Sequence, residues 1–586
     1  MSDQDSLAPA PPPALWVSAA CIAVAFPTLL AFNLPPSSTF LNQAAAFTGW
    51  GLWALLLAAT GIVPPRPWRG GLRALLGALA LLALAALASP LWTGLAWSLA
   101  LSALGTLAAV ALLVVIAAAL TRHGLAVQAF HALCVALLVA GVLGAAIAIV
   151  QVLVPQWADG NAIAQIGQGR AAGNLRQPNH LSSLLLWTLV AVVWLAQRRR
   201  LQRWVAGALG VLMLSGIVLS ASRTGMIGVL MLALWGLLDR RLSRRSRALL
   251  LLSPVVFALL WAGLAAWAHQ SQHLFGGDGQ LHKGDISSSR FGIWSNTLTL
   301  IASHPWLGVG WGEFNLAWTL TPFPDRPVAF FDHTHNLPLQ FAVELGLPLA
   351  LLVLVLLARA LWRAFRAGSE AADPATGLTL RAAFLMVLMM AVHSQLEYPL
   401  WYAHFLLPTA FAFGLCLGAG RQGAVPLPSP AQRGTRPLWI GAALLLLGGF
   451  ASIYDYLRVV VIFAPGQDAA PLAERIADGQ RSVLFGHHAD YAAVTTAGLP
   501  GAAEPGAFAR APHYLLDARL MMAWARALAE AGDLERARYL AQRLREFRNE
   551  QAETFFEACA EPPVEGQALP FQCEQPKGGL GYEDFR

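Results

Sequence analysis

Charged residues are scarce in this sequence. Only 12% of its 586 residues are Asp, Glu, Lys or Arg, while 57% are hydrophobic, and soluble domains carry about 25% charged residues. This shortage excludes an ordinary soluble globular protein. Ala-, Leu- and Val-rich runs recur along the chain, and about 20 apolar residues suffice for a helix to cross the hydrocarbon layer. The composition therefore predicts an all-α polytopic membrane protein.

The apolar runs predict about 13 transmembrane helices. We place them near 14-33, 45-63, 74-89, 96-120, 126-154, 180-196, 204-221, 224-238, 248-268, 336-358, 380-394, 401-419 and 438-463. The start MSDQDSLAPAPPPALW has no basic n-region, so we expect no cleavable signal and a first span that stays as an anchor.

Arginine is distributed unevenly between the two sides of this layout, and the richer side should be the cytoplasm. The cytoplasmic arginines are Arg66, Arg69, Arg73, Arg198, Arg199, Arg200, Arg203, Arg240, Arg241, Arg244, Arg245, Arg247, Arg359, Arg363, Arg366, Arg421, Arg433 and Arg436. The basic pI of about 9.5 then reflects membrane orientation, and no nucleic-acid partner is expected. We predict a multi-pass protein of a bacterial inner membrane.

Three longer segments lie outside the predicted spans and project to the opposite, periplasmic face: 156–179, 269–335 and 464–586. We predict a transmembrane catalytic domain, 1–463, with a large periplasmic loop, 269–335, and a periplasmic helical domain, 464–586. Within the tail, two amphipathic helices broken at Ala531-Gly532-Asp533 resemble one tetratricopeptide hairpin, which cannot bury its own apolar face. Either a cap on the membrane domain or an acceptor-docking surface fits this tail.

Cysteine is rare, with five residues in the chain. Cys21, Cys134 and Cys416 lie in apolar spans, where a free thiol behaves as a small hydrophobe. Cys559 and Cys573 lie in the polar tail, and they are a candidate disulfide in an oxidising periplasm.

Polar residues concentrate in the stretch FDHTHNLPLQFAVELGLPL, residues 331–349. Asn336, Gln340 and Glu344 recur every fourth position, which places them on one face of a helix. Because polar groups at membrane depth are costly, this face should point into the bundle. His333 and Asp332 lie just before the helix, where backbone N–H groups favour anions.

His333 and His335 admit three interpretations. They could cap and anchor the helix, they could ligate a metal, or one of them could act as a general base, since imidazole alone titrates near neutral pH without perturbation. No further cluster with metal-ligand spacing is apparent, so no metal site is predicted.

Three arginines lie on the periplasmic side in motif-like settings: Arg176 in AAGNLRQPNHLSS, Arg223 in LSASRTG and Arg290 in DISSSRFGIW. Planar guanidinium groups suit phosphate or pyrophosphate oxygens. The alternative is purely structural pairing with Glu397 or Glu344. Gly308, Gly310 and Gly312 in HPWLGVGWGEF lack a strand-turn-helix context, so we interpret them as turns rather than a nucleotide loop.

These motifs together resemble a known family. SASRTG, SSSRFGIWSNTLTLIASHPWLGVGWGEFNL, DHTHNLPLQFAVELGLP and HSQLEYPLWYAHFLLP are similar to the core of the O-antigen ligase and polymerase superfamily. The segment GNLRQPNHLSSLLLW, which contains Gln177 and Asn179, and the helical tail resemble its PglL-type protein O-oligosaccharyltransferases.

The resemblance implies a GT-C-like membrane fold. It also implies transfer of a glycan from undecaprenyl pyrophosphate to a hydroxyl of an acceptor such as a pilin, among membrane lipids and without a metal or nucleotide cofactor. The family's essential histidine maps onto His335, and its phosphate-contacting arginines map onto Arg223 and Arg290. Arg176, His333, Asn336, Gln340, Glu344, Gln177, Asn179 and Glu397 are further substrate-binding candidates.

Three rival functions stay open. Two share the chemistry: ligation onto lipid A core and polymerisation of glycan repeats. The third is transport of a lipid-linked glycan or solute, for which internal repeats or matched interrupted helices would be expected, and none is apparent in the sequence.

The orientation can be tested by cysteine labelling from outside in a background without the native thiols. We expect Gly279→Cys to react with a membrane-impermeant reagent and Arg244→Cys to be protected, because the arginine asymmetry places residue 244 in the cytoplasm. The reverse labelling pattern would contradict the topology.

Overall fold

The computed structural model describes residues 12–68, 70–167, 169–271, 276, 285–324, 326–419, 425–427, 436–496, 505–560 and 568–586. Arg69, Arg421, Arg433 and Gly279, and most of 272–284 in the predicted loop, lie outside these residues. The described residues form helices and turns and contain no strand. This confirms the all-α prediction.

Within the described residues, sixteen α-helices and one π-helix precede the tail. They are Ala14–Ala20, which continues as a π-helix Cys21–Ala25 into Phe26–Leu29, then Phe40–Ala58, Gly70–Ala88, Trp97–Arg122, Ala126–Leu153, Pro178–Gln197, Arg203–Ser220, Arg223–Leu238, Arg244–Ser271, Asp285–Ser303, Phe314–Leu320, Leu337–Glu370, Pro374–His393, Ala403–Leu417 and Arg436–Phe463. The tail helices are Leu472–Gly479, Gly486–Thr495, Pro505–Phe508, Ala518–Glu530, Leu534–Glu546 and Glu553–Phe556.

Every predicted span overlaps a helix. Among the described residues, nine helices are long and apolar enough to cross a membrane, which confirms a polytopic membrane protein. The other four predicted spans fall on Ala14–Leu29, Arg223–Leu238 and Ala403–Leu417, which are apolar but shorter, and on Phe40–Ala58. The count of about 13 crossings stays a prediction.

The chain forms two compact units. The first comprises Met1–Gly77, Ala108–Lys283 and Leu356–Ala451, and the second comprises Ala78–Leu107, Gly284–Val355 and Ser452–Arg586. This division differs from the predicted boundary at 463/464, because the tail belongs to the same unit as most of the described part of 269–335. That part also contains two helices, Asp285–Ser303 and Phe314–Leu320.

The helix Pro178–Gln197 lies at the centre of the first unit. It packs against Ala126–Leu153, Arg203–Ser220, Arg223–Leu238 and Pro374–His393, and 15 of its 20 residues are buried. Proline in its first turn has no N–H that needs a partner. Polar side chains at the start of this helix are therefore attached to a largely buried element.

The tail hairpin has the helices and the break that the sequence predicts. The helix Ala518–Glu530 ends before Gly532, whose φ is +85°, and Asp533 caps Leu534–Glu546 by accepting from the N–H of Arg536 at 3.2 Å. The hairpin buries its apolar face against Phe314–Leu320, where the Tyr539 hydroxyl donates to the carbonyl of Leu320 at 2.7 Å. Cys559 and Cys573 form a disulfide.

Arg326 also connects the helix Phe314–Leu320 to the tail. Its guanidinium donates to the carbonyls of Trp318 and Thr321 at 2.8 and 2.6 Å, which the last turn of Phe314–Leu320 leaves without helical partners. The same group lies 4.3 Å from the Phe547 ring centroid, and its side chain is 2% exposed. Burial, only partly offset by Glu546, lowers the pKa of Arg326 to about 10. Arg326 therefore joins the short helix to the tail through both hydrogen bonds and ring packing.

The predicted span near 336–358 is broken in the structure. Gly346 has φ +73° and ψ 161° inside Leu337–Glu370. The break follows from the hydrogen bonds: Pro348 has no N–H to donate, and the N–H of Leu347 donates instead to the carbonyl of Pro305 at 2.8 Å. The polar positions thus lie on a short helix, residues 337–345, rather than within one continuous crossing.

The glycine-rich loop 305–312 fills this break. The N–H groups of Val309 and Gly310 donate to the carbonyls of Val343 and Glu344 at 2.8 and 3.1 Å. Gly308, Gly310 and Gly312 have positive φ, which confirms that they form turns.

We expect Gly346→Ala to destabilise the protein by about 1–3 kcal/mol from backbone strain alone, since this φ/ψ region is nearly restricted to glycine. The added Cβ would also collide with the carbonyl of Trp306. Unfolding of the purified protein in detergent, followed by circular dichroism, measures the loss.

Gly448→Ala is the matched control, because a Cβ there meets no atom within 4 Å and the residue lies in the helix Arg436–Phe463. Equal stability of the two variants would contradict the strained break.

Candidate functional site

The predicted site residues fall into two sets, one in each unit, and each set is described by itself. The first unit holds Arg176, Gln177, Asn179, Arg223 and Glu397, and the second holds Arg290, His333, His335, Asn336, Gln340 and Glu344.

His335 lies on a sharp backbone turn between two anchored neighbours. Its φ is +56°, an uncommon conformation for a residue with a side chain. The Thr334 hydroxyl donates to the carbonyl of Asn336 at 2.8 Å, and the Asn336 side chain caps the helix by accepting from the N–H of Leu339 at 3.0 Å. The turn is thus fixed on both sides of the imidazole, which is partly buried and lies edge-on to the Phe331 ring at 5.8 Å.

Gln340 and Glu344, on the helix that follows, stabilise this turn. The Gln340 side chain accepts from the N–H of Thr334 at 2.8 Å and donates to the Glu344 carboxylate at 2.9 Å. The backbone N–H groups of Gly312 and Phe314 lie near that carboxylate. Both side chains are buried. Gln340 and Glu344 thus lie on one face of the helix and contact groups of the protein itself.

Trp294 ties the helix Asp285–Ser303 to the same turn. Its indole N–H donates to the carbonyl of Thr334 at 3.0 Å. Arg290 lies four residues earlier, one turn away on the same face of that helix. This hydrogen bond thus connects the Arg290 helix to the His335 turn.

His333 pairs with its neighbour Asp332. Nδ1 of His333 lies 3.0 Å from a carboxylate oxygen of Asp332, whose side chain is half exposed. Burial alone would raise the pKa of the Asp332 carboxyl, but the charge of His333 and its hydrogen bond, with a smaller contribution from His335, lower the pKa overall. Asp332 thus carries its negative charge beside both imidazoles.

In the first unit, Asn179 links three elements. Its side chain accepts from the Ser222 hydroxyl at 2.6 Å and donates to Glu397 at 3.1 Å. Ser222 caps the helix that begins at Arg223, since its hydroxyl accepts from the N–H of Gly225 at 3.0 Å. Asn179 therefore positions the residue next to Arg223, and the structure brings Asn179, Glu397 and the Arg223 turn together.

Arg176 and Gln177 have backbone roles instead. The Arg176 guanidinium donates to the carbonyls of Ser38, at 2.9 Å, and Ala31, and burial lowers its pKa. The Gln177 side chain caps the helix Pro178–Gln197 by accepting from the N–H of His180 at 2.9 Å. Neither side chain joins the Asn179 network.

Sequence reasoning missed two features of the first unit. Arg170 donates to the carbonyls of Ser220 and Ala221 at 3.2 and 3.3 Å, and its place in the same segment as Arg176, residues 156–179, was the available signal. His180 is buried, with its ring centroid 6.0 Å from that of His393, and no spacing in the sequence connects those two positions.

Metal ligation was one interpretation of the histidines. Within the part of the chain that the structure describes, no group of three or more His, Cys, Asp and Glu side chains has a metal-holding arrangement.

Three protein families match separate parts of the chain. Residues 208–354 match the family described as O-antigen ligase, and residues 171–196 match the family described as protein glycosylation ligase. Residues 381–558 match a family described as virulence factor membrane-bound polymerase, C-terminal. The Arg223, Arg290 and His335 positions all lie in the first of these matches.

Two curated proteins of Acinetobacter baylyi (strain ATCC 33305 / BD413 / ADP1) are similar to the chain. One is a general O-oligosaccharyltransferase, 28% identical over 254 residues, which are 42% of this chain and 43% of that protein. The other is a ComP-specific O-oligosaccharyltransferase, 28% identical over 252 residues, 42% of this chain and 44% of that protein. The similarity thus spans less than half the length of either relative.

We expect Gln340→Leu to destabilise the protein by about 2–6 kcal/mol, because the N–H of Thr334 and the Glu344 carboxylate would each lose a buried partner at about 1–3 kcal/mol apiece. Denaturation in detergent measures the loss. Gln270→Leu, at an exposed position on Arg244–Ser271, is the control and should change stability by less than about 0.5 kcal/mol. Equal effects of the two variants would show that the Gln340 hydrogen bonds do not support the turn.

Proposed function

We propose that this chain, which is related to the O-antigen ligase and polymerase superfamily and carries a PglL-type segment, is a glycosyltransferase that glycosylates proteins. It transfers an oligosaccharide en bloc from undecaprenyl pyrophosphate to Ser or Thr hydroxyls of periplasmic proteins such as pilins. The acceptor class rests on the two relatives, both of which are O-oligosaccharyltransferases.

The observation that carries the proposal is the His335 turn. An imidazole on a left-handed residue, with Thr334 and Asn336 fixed on either side, is preorganised to meet a proton at a defined position. Imidazole exchanges protons near neutral pH, and general-base catalysis requires the base to lie within hydrogen-bond reach of the proton it removes. Capping the helix does not require His335, because Asn336 already caps it.

The proposed reaction is a single displacement. His335 takes the proton of the acceptor hydroxyl as that oxygen attacks the anomeric carbon. The new carbon–oxygen bond forms as the bond from that carbon to the pyrophosphate oxygen breaks, and undecaprenyl pyrophosphate leaves with the electron pair. Attack opposite the leaving group inverts the anomeric configuration. Asp332, negatively charged beside the histidines, stabilises the imidazolium that results.

Arg223 and Arg290 neutralise the charge that develops on the leaving pyrophosphate, which is the largest demand of such a reaction. Guanidinium suits this role because its planar fork can donate two hydrogen bonds to one phosphate group. The Asn179–Ser222 network and the Trp294–Thr334 hydrogen bond support these two arginines from neighbouring positions.

Glycan polymerisation is a second candidate function, favoured by the match of residues 381–558 to a membrane-bound polymerase family. It uses the same donor chemistry with a sugar hydroxyl as acceptor. Ligation onto lipid A core would likewise change only the acceptor.

We further propose about 13 crossings with the catalytic residues at the periplasmic face of the bacterial inner membrane, in a GT-C-like fold. The tetratricopeptide-like tail would lie in the periplasm, and its disulfide is consistent with that compartment.

The direct test incubates the purified full-length protein with lipid-linked oligosaccharide and either periplasmic acceptor proteins, lipid A core or free lipid-linked repeats. Mass spectrometry of the products identifies the acceptor. Glycosylated Ser or Thr supports the proposal, elongated glycan supports the polymerase, and glycosylated lipid A core supports the ligase. Transport of intact donor without any product would indicate a transporter.

We expect His335→Ala to lower the transfer rate by roughly 10²- to 10⁴-fold, the usual contribution of general-base catalysis. Donor binding and folding should be retained, because the turn is held by residues 334, 336 and 340. His333→Ala is the matched neighbour and should have a milder effect. Initial rates per folded enzyme distinguish a catalytic role of His335 from a structural one. Near-normal transfer by His335→Ala would refute its role as base.

A further inference from the structure

The turn that precedes Arg223 is held by a second arginine. Ala221 adopts φ +48° between the helices Arg203–Ser220 and Arg223–Leu238. The Arg170 side chain donates from Nε to the carbonyl of Ser220 at 3.2 Å and from Nη2 to the carbonyl of Ala221 at 3.3 Å. Its guanidinium is therefore placed at the carbonyl end of one helix, two residues before the start of the next.

Arg170 and Arg223 are close enough for their charges to interact. Burial is the main cause that lowers the pKa of Arg170, the positive charge of Arg223 lowers it further, and Glu397 raises it. The Arg170 guanidinium thus interacts with both the Arg223 charge and the Glu397 carboxylate, and that carboxylate also accepts a hydrogen bond from Asn179 at 3.1 Å. Placing two like charges near each other in a poorly solvated place is costly, and a bound anion would lower that cost.

Only part of the Arg170 guanidinium hydrogen-bonds to the protein. Nε and Nη2 bind the turn, while among the described residues no acceptor takes a hydrogen bond from Nη1. Arg176, by contrast, is committed to the carbonyls of Ala31 and Ser38. The two arginines of segment 156–179 thus differ. The Arg176 guanidinium binds backbone carbonyls, whereas Arg170 has an N–H group left that can bind a ligand.

We propose that Arg170 and Arg223 together bind one phosphate group of a pyrophosphate, with Arg170 acting as a further cation of the donor site beside Arg223. This inference deepens the proposed function and rests on it. The ligand class is a pyrophosphate monoester or diester, and the Asn179–Ser222 network fixes the geometry of the arginine pair.

The test measures binding of inorganic pyrophosphate to the purified full-length protein in detergent, by protection against thermal unfolding over a concentration series. Arg170→Gln should raise the apparent Kd at least about tenfold, because a hydrogen bond to a charged group typically contributes more than the free energy of a tenfold change. Arg170→Lys, which keeps the charge and a donor for the turn, should have an intermediate effect.

A double-variant comparison separates direct contact from mere support of the turn. In an Arg223→Gln background, Arg170→Gln should still weaken pyrophosphate binding if Arg170 contacts the anion. It should have no effect there if Arg170 acts only through Arg223, and that outcome would overturn the inference. Arg203→Gln, exposed at the far end of the helix Arg203–Ser220, is the control and should leave the Kd unchanged.

A lipid headgroup could offer similar phosphate chemistry, so a parallel series uses dioleoyl phosphatidylglycerol in mixed micelles. Protection by pyrophosphate that depends on Arg170 supports the inference, whereas Arg170-dependent protection by phosphatidylglycerol alone overturns it. The outcome is separable from the proposed function. Arg170-dependent pyrophosphate binding without any glycan transfer would refute the proposed function and support the anion site. Glycan transfer by the wild type, with pyrophosphate binding unchanged in Arg170→Gln, would support the function and overturn the anion site.

Discussion

The buried carboxylate of Glu344 is the group on which the polar segment of the second unit depends. It accepts a hydrogen bond from Gln340 and lies near the backbone N–H groups of Gly312 and Phe314, so one side chain connects a helix to the loop that precedes Phe314. Through Gln340 the connection reaches the N–H of Thr334 and fixes the turn that carries His335. A buried carboxyl group, which is costly without polar partners, thereby becomes a structural joint.

Both units present their most reactive side chains in the same way. His335 is itself a left-handed residue, and Arg223 follows the left-handed Ala221 by two positions. In each case a short polar neighbour, Thr334 or Ser222, makes a hydrogen bond to the backbone of the turn. The two turns are thus held by residues next to the histidine and the arginine, which is the kind of support that a binding or catalytic site needs.

Local periodicity predicted much of the fold and part of the site. The four-residue spacing that ends at Glu344 gave one helical face, and the motifs gave a resemblance that the family matches confirm. The break at Gly346 was missed because it depends on a loop some 40 residues earlier that supplies the hydrogen bonds. The sequence could not distinguish the roles of Arg176 and Arg170, because no local pattern shows which distant backbone carbonyls each guanidinium binds. The bond between Ser222 and Asn179 likewise joins positions 43 residues apart, which no local pattern indicates.

The packing of the tail against Phe314–Leu320 has a consequence for biogenesis. The hydrogen bond from Leu516 to Asn315 and the buried pair of His513 with Glu313 join residues about 200 positions apart. At synthesis rates of about 5–20 residues per second, the earlier segment waits roughly 10–40 s for its partner. During that interval its apolar side chains have no tail to cover them. The segment that begins near residue 513 therefore completes the packing around Phe314–Leu320, so a product that stalls before this segment is made would leave those apolar side chains uncovered.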